Sequence, residues 1–560
     1  MPETQIWPPF LNSYPPQLQQ ISILQAVALV AAVCLLRHIG ALRSKPSVEA
    51  PYAGYRTFWE PTWLVRLRFV WAAPTIIHQG YSQFKDSLFQ IRRIGADILV
   101  LSPKHVEEVR SLSKDKTRSV EPLFHDFVGD YTRGREFLES DLQNRVIQQR
   151  LTPHLDALTD LMRSELDVAL EKEIRCGGKD SWTLVDMNRV LARIVGHVTA
   201  RVFLGPEECR NEEWHTATTE YSENLFITGM ILRVVPCWLR PFVAPALPTY
   251  RRLLGNVASA RTIIGNIVQK RQSLRQELGS AYIFPTDVLQ WTMDAARGQE
   301  RDVSNLAQRM LTLSLSAIHT TALTMTQALY DLCSHPECLE PLRAEIADAL
   351  IDADGRGKAM LHRLYKLDSL LKESQRFSPV FLPLHPAHLL ERRHLLLQVL
   401  APRGPFVPSS ELNASLVTFN RIFHQPMTLS DGTFLPAGTR VAVPSNAMLQ
   451  QPEHVPGPAK PSEFDPFRYS NLRNDPVLGP QYQRFMCAMT NSSNMAFGYG
   501  RYACPGRFYA VNEMKLILAT LLLRYELKFP EGAKRPKNFT VDGDMFPDPR
   551  ARLLIRERVP

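Results

Sequence analysis

Phe497, Gly498, Gly500, Cys504 and Gly506 fall within ten residues, in the run Phe-Gly-Tyr-Gly-Arg-Tyr-Ala-Cys-Pro-Gly. The run sets one sulfur inside a glycine-punctuated loop that can offer a single thiolate to a metal. Gly498 and Gly500 permit a tight turn and the close approach of a flat ligand, which a Cβ would obstruct. Pro505 suits a first helical turn, where a missing N–H has no partner to lose. The apolar run from Phe508 to Leu523 predicts the helix that follows. Its positive end favours a thiolate over a thiol.

Further chemistry lies upstream. Glu373 and Arg376 stand three apart in Lys-Glu-Ser-Gln-Arg, so a helix places them on one face. Ser316-Ala317-Ile318-His319-Thr320-Thr321 puts polar groups inside a long apolar helical pattern, where a threonine can bond back to a carbonyl. Histidine there could relay protons near neutral pH.

With these residues on the page, the chain resembles the cytochrome P450 family. Phe497, Gly500, Cys504 and Gly506 fill the fixed positions of its signature Phe-x-x-Gly-x-x-x-Cys-x-Gly, and Cys504 to Phe508 looks like the fungal microsomal branch. The resemblance implies haem b with Cys504 as axial iron ligand, in a loop that includes Phe497, Gly498, Gly500, Arg501 and Gly506. A thiolate ligand pushes electron density onto the iron and favours O–O cleavage. Glu373 and Arg376 match the family's Glu-x-x-Arg, and Arg468 in Phe-Asp-Pro-Phe-Arg completes its structural triad. Thr320 aligns with the threonine that delivers protons, and His319 replaces the usual acid beside it. For the haem propionates the candidates are Arg421 and Arg145. Tyr502 occupies the place, two before the cysteine, where an arginine or histidine is usual.

By the same resemblance the activity is mono-oxygenation of a hydrophobic small molecule in terpenoid-like secondary metabolism. Electrons come from a separate NADPH-dependent haemoprotein reductase, since the chain shows no flavin or dinucleotide fingerprint. Two rivals stay open: a haem-thiolate isomerase or dehydratase, and a haem-binding protein disabled by an insertion.

The fold class expected is mainly α with small β-sheets, the cytochrome P450 haem-domain fold. Helical periodicity runs through Val146 to Leu170, Arg251 to Leu278 and Leu306 to Leu332. Strand-like pieces are short, at Ile98 to Leu101, Met427 to Leu429 and Val441 to Val443, with a turn over Thr433 to Thr439. Leu225 to Leu254 is apolar and proline-bearing, and fits either a membrane-facing access region or ordinary core. The 560 residues are 45% hydrophobic with a net charge of +9, basic and acidic residues interspersed, so no nucleic-acid footprint is read. Eight scattered cysteines give neither a disulfide framework nor a zinc pattern.

The N-terminus sets the expected compartment. Ile21 to Leu36 is mostly apolar, and Arg37, Arg43 and Lys45 follow it with no earlier lysine or arginine. That asymmetry predicts one transmembrane helix, with the catalytic domain cytosolic on the endoplasmic reticulum membrane. The divisions are a lumenal tail at 1–18, an anchor at 19–36, a basic, proline-bearing linker at 37–55 and the catalytic domain at 56–560. The sequons at Asn413, Asn491 and Asn538 are then chance matches. Residues 381–415 interrupt the family pattern with clustered leucines and five prolines, and read as a translated intron.

Overall fold

A computed structural model describes residues 48–177, 181–352, 357–380 and 417–559. The anchor expected at 19–36 and the insertion at 381–415 lie outside the described residues. Among the described residues no helix is long and apolar enough to cross a membrane. Helices dominate, with short strands gathered into small sheets.

The folded part begins earlier than the sequence suggested. Residues 48–53, read as linker, are packed: Val48 is buried and Tyr52–Ala53 forms β1, parallel to β2 (Phe89–Arg92). The buried side chain of Gln90 fixes this edge by donating to the carbonyls of Val48 and Ala50, at 3.1 and 2.9 Å. Helix α1 (Thr62–Gln83) follows, and Ala72 leaves helical geometry just before Pro74, whose ring clashes with the preceding turn.

The main sheet runs β1-β2-β3-β9-β6-β4, where β3 is Asp97–Val100, β4 Thr117–Arg118, β6 Thr418–Phe423 and β9 Arg440–Val443. Its second sheet pairs β5 (Thr183–Val185) with β13 (Leu553–Glu557) and β10 (Tyr525–Lys528). Antiparallel β6 and β9 lose register between Thr418 and Arg421, with Phe419 at φ +60°. Such bulges re-aim a side chain, and here the side chain is Arg421. The segment read as a turn at Thr433 to Thr439 instead contains β8 (Phe434–Leu435), paired with β7 (Met427–Thr428).

The long helices form the other layer. Instead of one helix over Val146 to Leu170, the chain takes a π-helical turn at Ile147–Leu151 and a 3-10 turn at Thr152–His154 before α2 (Leu155–Glu173). Pro153 lacks the N–H that a continuous helix would use there. Next come α3 (Met187–Leu204), α4 (Glu212–Val234) and α5 (Pro248–Leu278). Asn211 caps α4, its side chain accepting from the N–H groups of Glu213 and Trp214 at 3.0 and 3.2 Å. Helices α6 (Val303–Ser334), α7 (Leu339–Asp352), α8 (Tyr365–Phe377) and α9 (Arg507–Arg524) complete the layer, and their apolar faces share one large core with α2 and α3. Leu225 to Leu254 is mostly helical rather than loop-rich, yet Trp238 and Phe242 are 72% and 75% exposed and so are not core residues.

A last hairpin joins β11 (Phe539–Val541) to β12 (Asp544–Phe546) through Asp542-Gly543, at φ +57° and +94°. Positive φ at both central residues is the two-residue turn whose twist matches the strands. Asn538, just before it, has its side-chain amide committed to Ser378 and Gln327 at 3.0 and 2.8 Å.

Candidate functional site

The cysteine loop holds itself open by its own backbone. Gly498 and Gly500 sit at φ +69° and +70°, and the Cys504 N–H donates to Phe497 O at 2.7 Å. A Cβ on Gly500 would stand 2.5 Å from Arg110 O, so close packing as well as conformation requires glycine there. Helix α9 begins at Arg507 with Gly506 as its cap, which leaves Pro505 before the helix rather than in its first turn. Phe497 and Phe508 lean on the main core on either side of the cysteine.

The sulfur does not ionise as the helix end alone suggested. Burial pushes the Cys504 thiol up, and the N–H groups of Gly506 and Arg507 with the Arg507 charge only partly offset it. Bound metal deprotonates a coordinating thiol outright, so the loop suits a thiolate that a cation completes.

Behind the loop lies a buried carboxylate–guanidinium knot. Glu373 on α8 accepts from Arg376 Nε and Nη2 at 2.8 and 2.7 Å and from Arg468 Nε at 3.1 Å. All three are buried. Arg376 reaches the carbonyls of Leu449 and Glu463, and Arg468 those of Ala459, Lys460 and Glu463. Every ionic group is therefore paired, the condition under which buried charge is tolerable.

Arg421 is different. It is 1% exposed and has no carboxylate partner among the described residues. Its Nη2 donates to Tyr499 O at 3.1 Å, its Nε has no partner, and its charge rests against the rings of Phe419 and Tyr502. Burial pulls its pKa down to about 10, while Tyr502 acts the other way. A buried cation held on carbonyl and ring faces is ready for an anion. Tyr502 itself donates its hydroxyl to Thr117 O, so it steadies Arg421 rather than offering that hydrogen to a ligand.

Two other expected contacts are not brought into this group. Arg145 pairs with Asp141 at 3.2 Å and lies 3.8 Å from Glu300. Arg501 is exposed.

Helix α6 is buried continuously from Leu306 to Leu332 except at Thr312, Ser316, Ala317 and Thr320. Thr312, Ser316 and Thr320 recur every four residues, so they share one open face. Each hydroxyl donates to the carbonyl four residues back, at 3.0, 2.9 and 2.6 Å. His319 is 4% exposed and off this face. Thr312 escaped the sequence reading, although the repeat of hydroxyls at helical spacing was its signal.

A thiol loop, a buried unpaired guanidinium and an open hydroxyl face in a buried helix fit a haem with carboxylate side chains. Among the described residues no histidine, cysteine and carboxylate cluster offers an alternative metal site.

The comparisons agree with this geometry. The family model described as Cytochrome P450 matches residues 59–395 and 413–555, and the chain belongs to that family. It is 56% identical over 520 residues to "Ent-kaurene oxidase" of Gibberella intermedia, which spans 93% of this chain and 90% of the relative. A cytochrome P450 monooxygenase of Emericella nidulans is 40% identical over 536 residues, spanning 96% and 92%. Among solved structures, the haem domain of cytochrome P450DA superposes with TM-score 0.65 at 17% identity, covering 91% of this chain and 98% of that one. Retinoic acid bound cyanobacterial CYP120A1 gives 0.62 at 17%, covering 92% and 100%. The protein is thus a haem-thiolate monooxygenase, and haem b is its cofactor.

Proposed function

We propose that this chain oxidises a terpenoid skeleton of the ent-kaurene type. The observation that carries the reading is the 56% identity, over nearly the whole chain, with a relative named for that substrate. Haem bound here supplies the redox and oxygen-activating chemistry.

The chain's own residues take the following parts in this reading. Cys504 is the axial ligand, and Phe497, Gly498, Gly500 and Gly506 shape its loop. Arg421 neutralises a propionate, which its unpartnered Nε supports. Glu373, Arg376 and Arg468 hold the strands and loops behind the cysteine in one arrangement. Thr320, on the open face of α6, holds a water and passes protons, with its own hydrogen parked on Ser316 O at 2.6 Å. Buried His319 serves that path from behind, through protein rather than through the open face. The hydroxyl face favours oxygen chemistry over a peroxide isomerase, which needs no delivered protons.

Electrons come from an NADPH-dependent reductase at the endoplasmic reticulum, where residues 19–36 anchor the enzyme with its catalytic domain cytosolic. The exposed Phe58, Trp59, Trp63, Trp71, Trp238 and Phe242 support lipid contact, since large apolar side chains left in water mark an interaction surface. Residues 381–415 remain an insertion in this reading, and the family match also breaks there, between 395 and 413.

Co-expression with a reductase and feeding of ent-kaurene test the proposal. Oxygenated diterpene should accumulate with wild type and not with Cys504→Ser, and the reduced, carbon monoxide-treated variant should lose its thiolate-type Soret band. An intact band and product from Cys504→Ser would end the assignment.

A further inference from the structure

One cavity is lined by none of the cysteine loop. Phe69, Ile98, Phe127, Phe226 and Val541 give it apolar walls, and it measures about 650 Å³ including the open space at its mouth. Four charged residues also line it. Arg93 bonds to Asp126 at 2.7 Å and to Asp542 at 2.8 Å, and Arg233 donates to the same Asp542 oxygen, Oδ2. Arg440 holds Asp126 from outside the cavity with two bonds of 2.7 Å. A ligand that is only hydrocarbon has no use for these ions, and buried charge is costly to strip of water.

Two valences in the cluster are open. Arg233 Nε and Asp542 Oδ1 are buried without a hydrogen-bond partner among the described residues, and their side chains belong to residues 9% and 4% exposed. Arg233 also spends Nη2 on the sulfur of Met230, 3.0 Å away. A thioether is a weak acceptor for a charged donor, and methionine is a flexible filler. Met230 lines the cavity too. Asp542, by contrast, is fixed: its N–H donates to Val70 O at 2.7 Å from within the hairpin turn.

An unpartnered donor facing an unpartnered acceptor selects for a group that is both. A hydroxyl accepts from the guanidinium and donates to the carboxylate. A ligand carboxylate would meet Asp542 as a like charge, and a hydrocarbon would leave both valences open. We infer that this cavity recognises an apolar skeleton already bearing a hydroxyl, whose oxygen displaces the Met230 sulfur and bridges Arg233 and Asp542. The inference rests on the terpenoid reading and narrows it to an alcohol, so the ligand must be supplied by a hydroxylation.

Calorimetric titration of the full-length, haem-loaded enzyme tests it, with a diterpene hydrocarbon, its mono-alcohol and its carboxylic acid as probes. The alcohol should bind about tenfold more tightly than either, the scale of one hydrogen bond to a charged group. Arg233→Leu should bring the alcohol to the hydrocarbon's affinity and leave the hydrocarbon within about twofold. Asp542→Asn, which tolerates the positive φ and so keeps the turn, should lessen the preference, whereas Met230→Leu should retain it. Equal binding of hydrocarbon and alcohol by wild type, or a preference unchanged in Arg233→Leu and Asp542→Asn, overturns the inference while the terpenoid reading stands. Binding of none of the three probes overturns both.

Discussion

The guanidinium carbon of Arg421 sits 4.4 Å from the centre of the Tyr502 ring and 4.0 Å from that of Phe419. The ring faces carry negative quadrupole and hold a cation without neutralising it. The bulge in β6 that brings Phe419 to positive φ thereby also positions the charge.

Arg421→Leu should lower the haem-to-protein absorbance ratio of purified enzyme and speed haem loss to an acceptor protein. Tyr502→Phe keeps the ring and removes only the hydroxyl donated to Thr117 O. It should retain haem and cost about 1 kcal/mol of stability, read from denaturant unfolding. Equal haem loss in both variants would contradict the role given to the cation.

Replacing Glu373 by Gln strands two buried guanidiniums. Breaking a buried ion pair from one side costs about 3–5 kcal/mol, so thermal unfolding should drop sharply and haem incorporation with it. A variant as stable as wild type would show that the carbonyls around Arg376 and Arg468 suffice without the carboxylate.

Thr320→Val preserves shape and removes the hydroxyl. Product formed per NADPH consumed should fall about tenfold or more, the lower range of effects from a lost proton-transfer group being larger still, and peroxide should appear instead. Haem content should not change. Unaltered coupling would place proton delivery elsewhere.

Glu513 on α9 is wholly buried, and burial raises its carboxyl to about 8, with the Tyr509 and Thr199 hydroxyls working the other way. The folded chain therefore holds this proton more tightly than the unfolded chain does. Its contribution is full below the ordinary carboxyl range and is lost as pH rises toward 8, each tenfold difference in acid constant being worth about 1.4 kcal/mol. Melting curves should decline between pH 5 and pH 8 for wild type, and less for Glu513→Gln, which copies the neutral acid. Parallel declines would remove Glu513 as the cause.

Pro379, Val380 and Thr418 line a single cavity, so the chain on either side of 381–415 meets at one place. Deleting that segment should leave a chain that binds haem at least as well, as judged by the carbon monoxide-difference spectrum per mole of protein. Failure of the shortened chain to take up haem would make the segment part of the fold.

Local signals carried much of this into the sequence. Cys504 with its glycines and the spacing of Glu373 and Arg376 are short-range patterns, and the structure keeps them as local geometry. Helix α6 was legible because an apolar period survives a few polar interruptions. What stayed hidden depended on partners far apart in the chain. Nothing near Arg421 announces that Tyr499 and Tyr502 will surround it, and Arg145 looks equally suitable until Asp141 and Glu300 claim it. The bulge at Phe419 depends on the register with β9, which sequence pattern alone does not set. Asp542-Gly543 was a readable hairpin signal, but its link to Arg93 and Arg233 joins residues hundreds of positions apart.

The rungs at Thr312, Ser316 and Thr320 have each spent their single hydrogen on the helix behind them. What they turn outward is therefore lone pairs, about 6 Å apart along the axis. Water settling between neighbouring rungs must arrive hydrogen-first, and its own oxygen is left pointing back into the cleft. The helix thereby gives solvent a direction as well as a place.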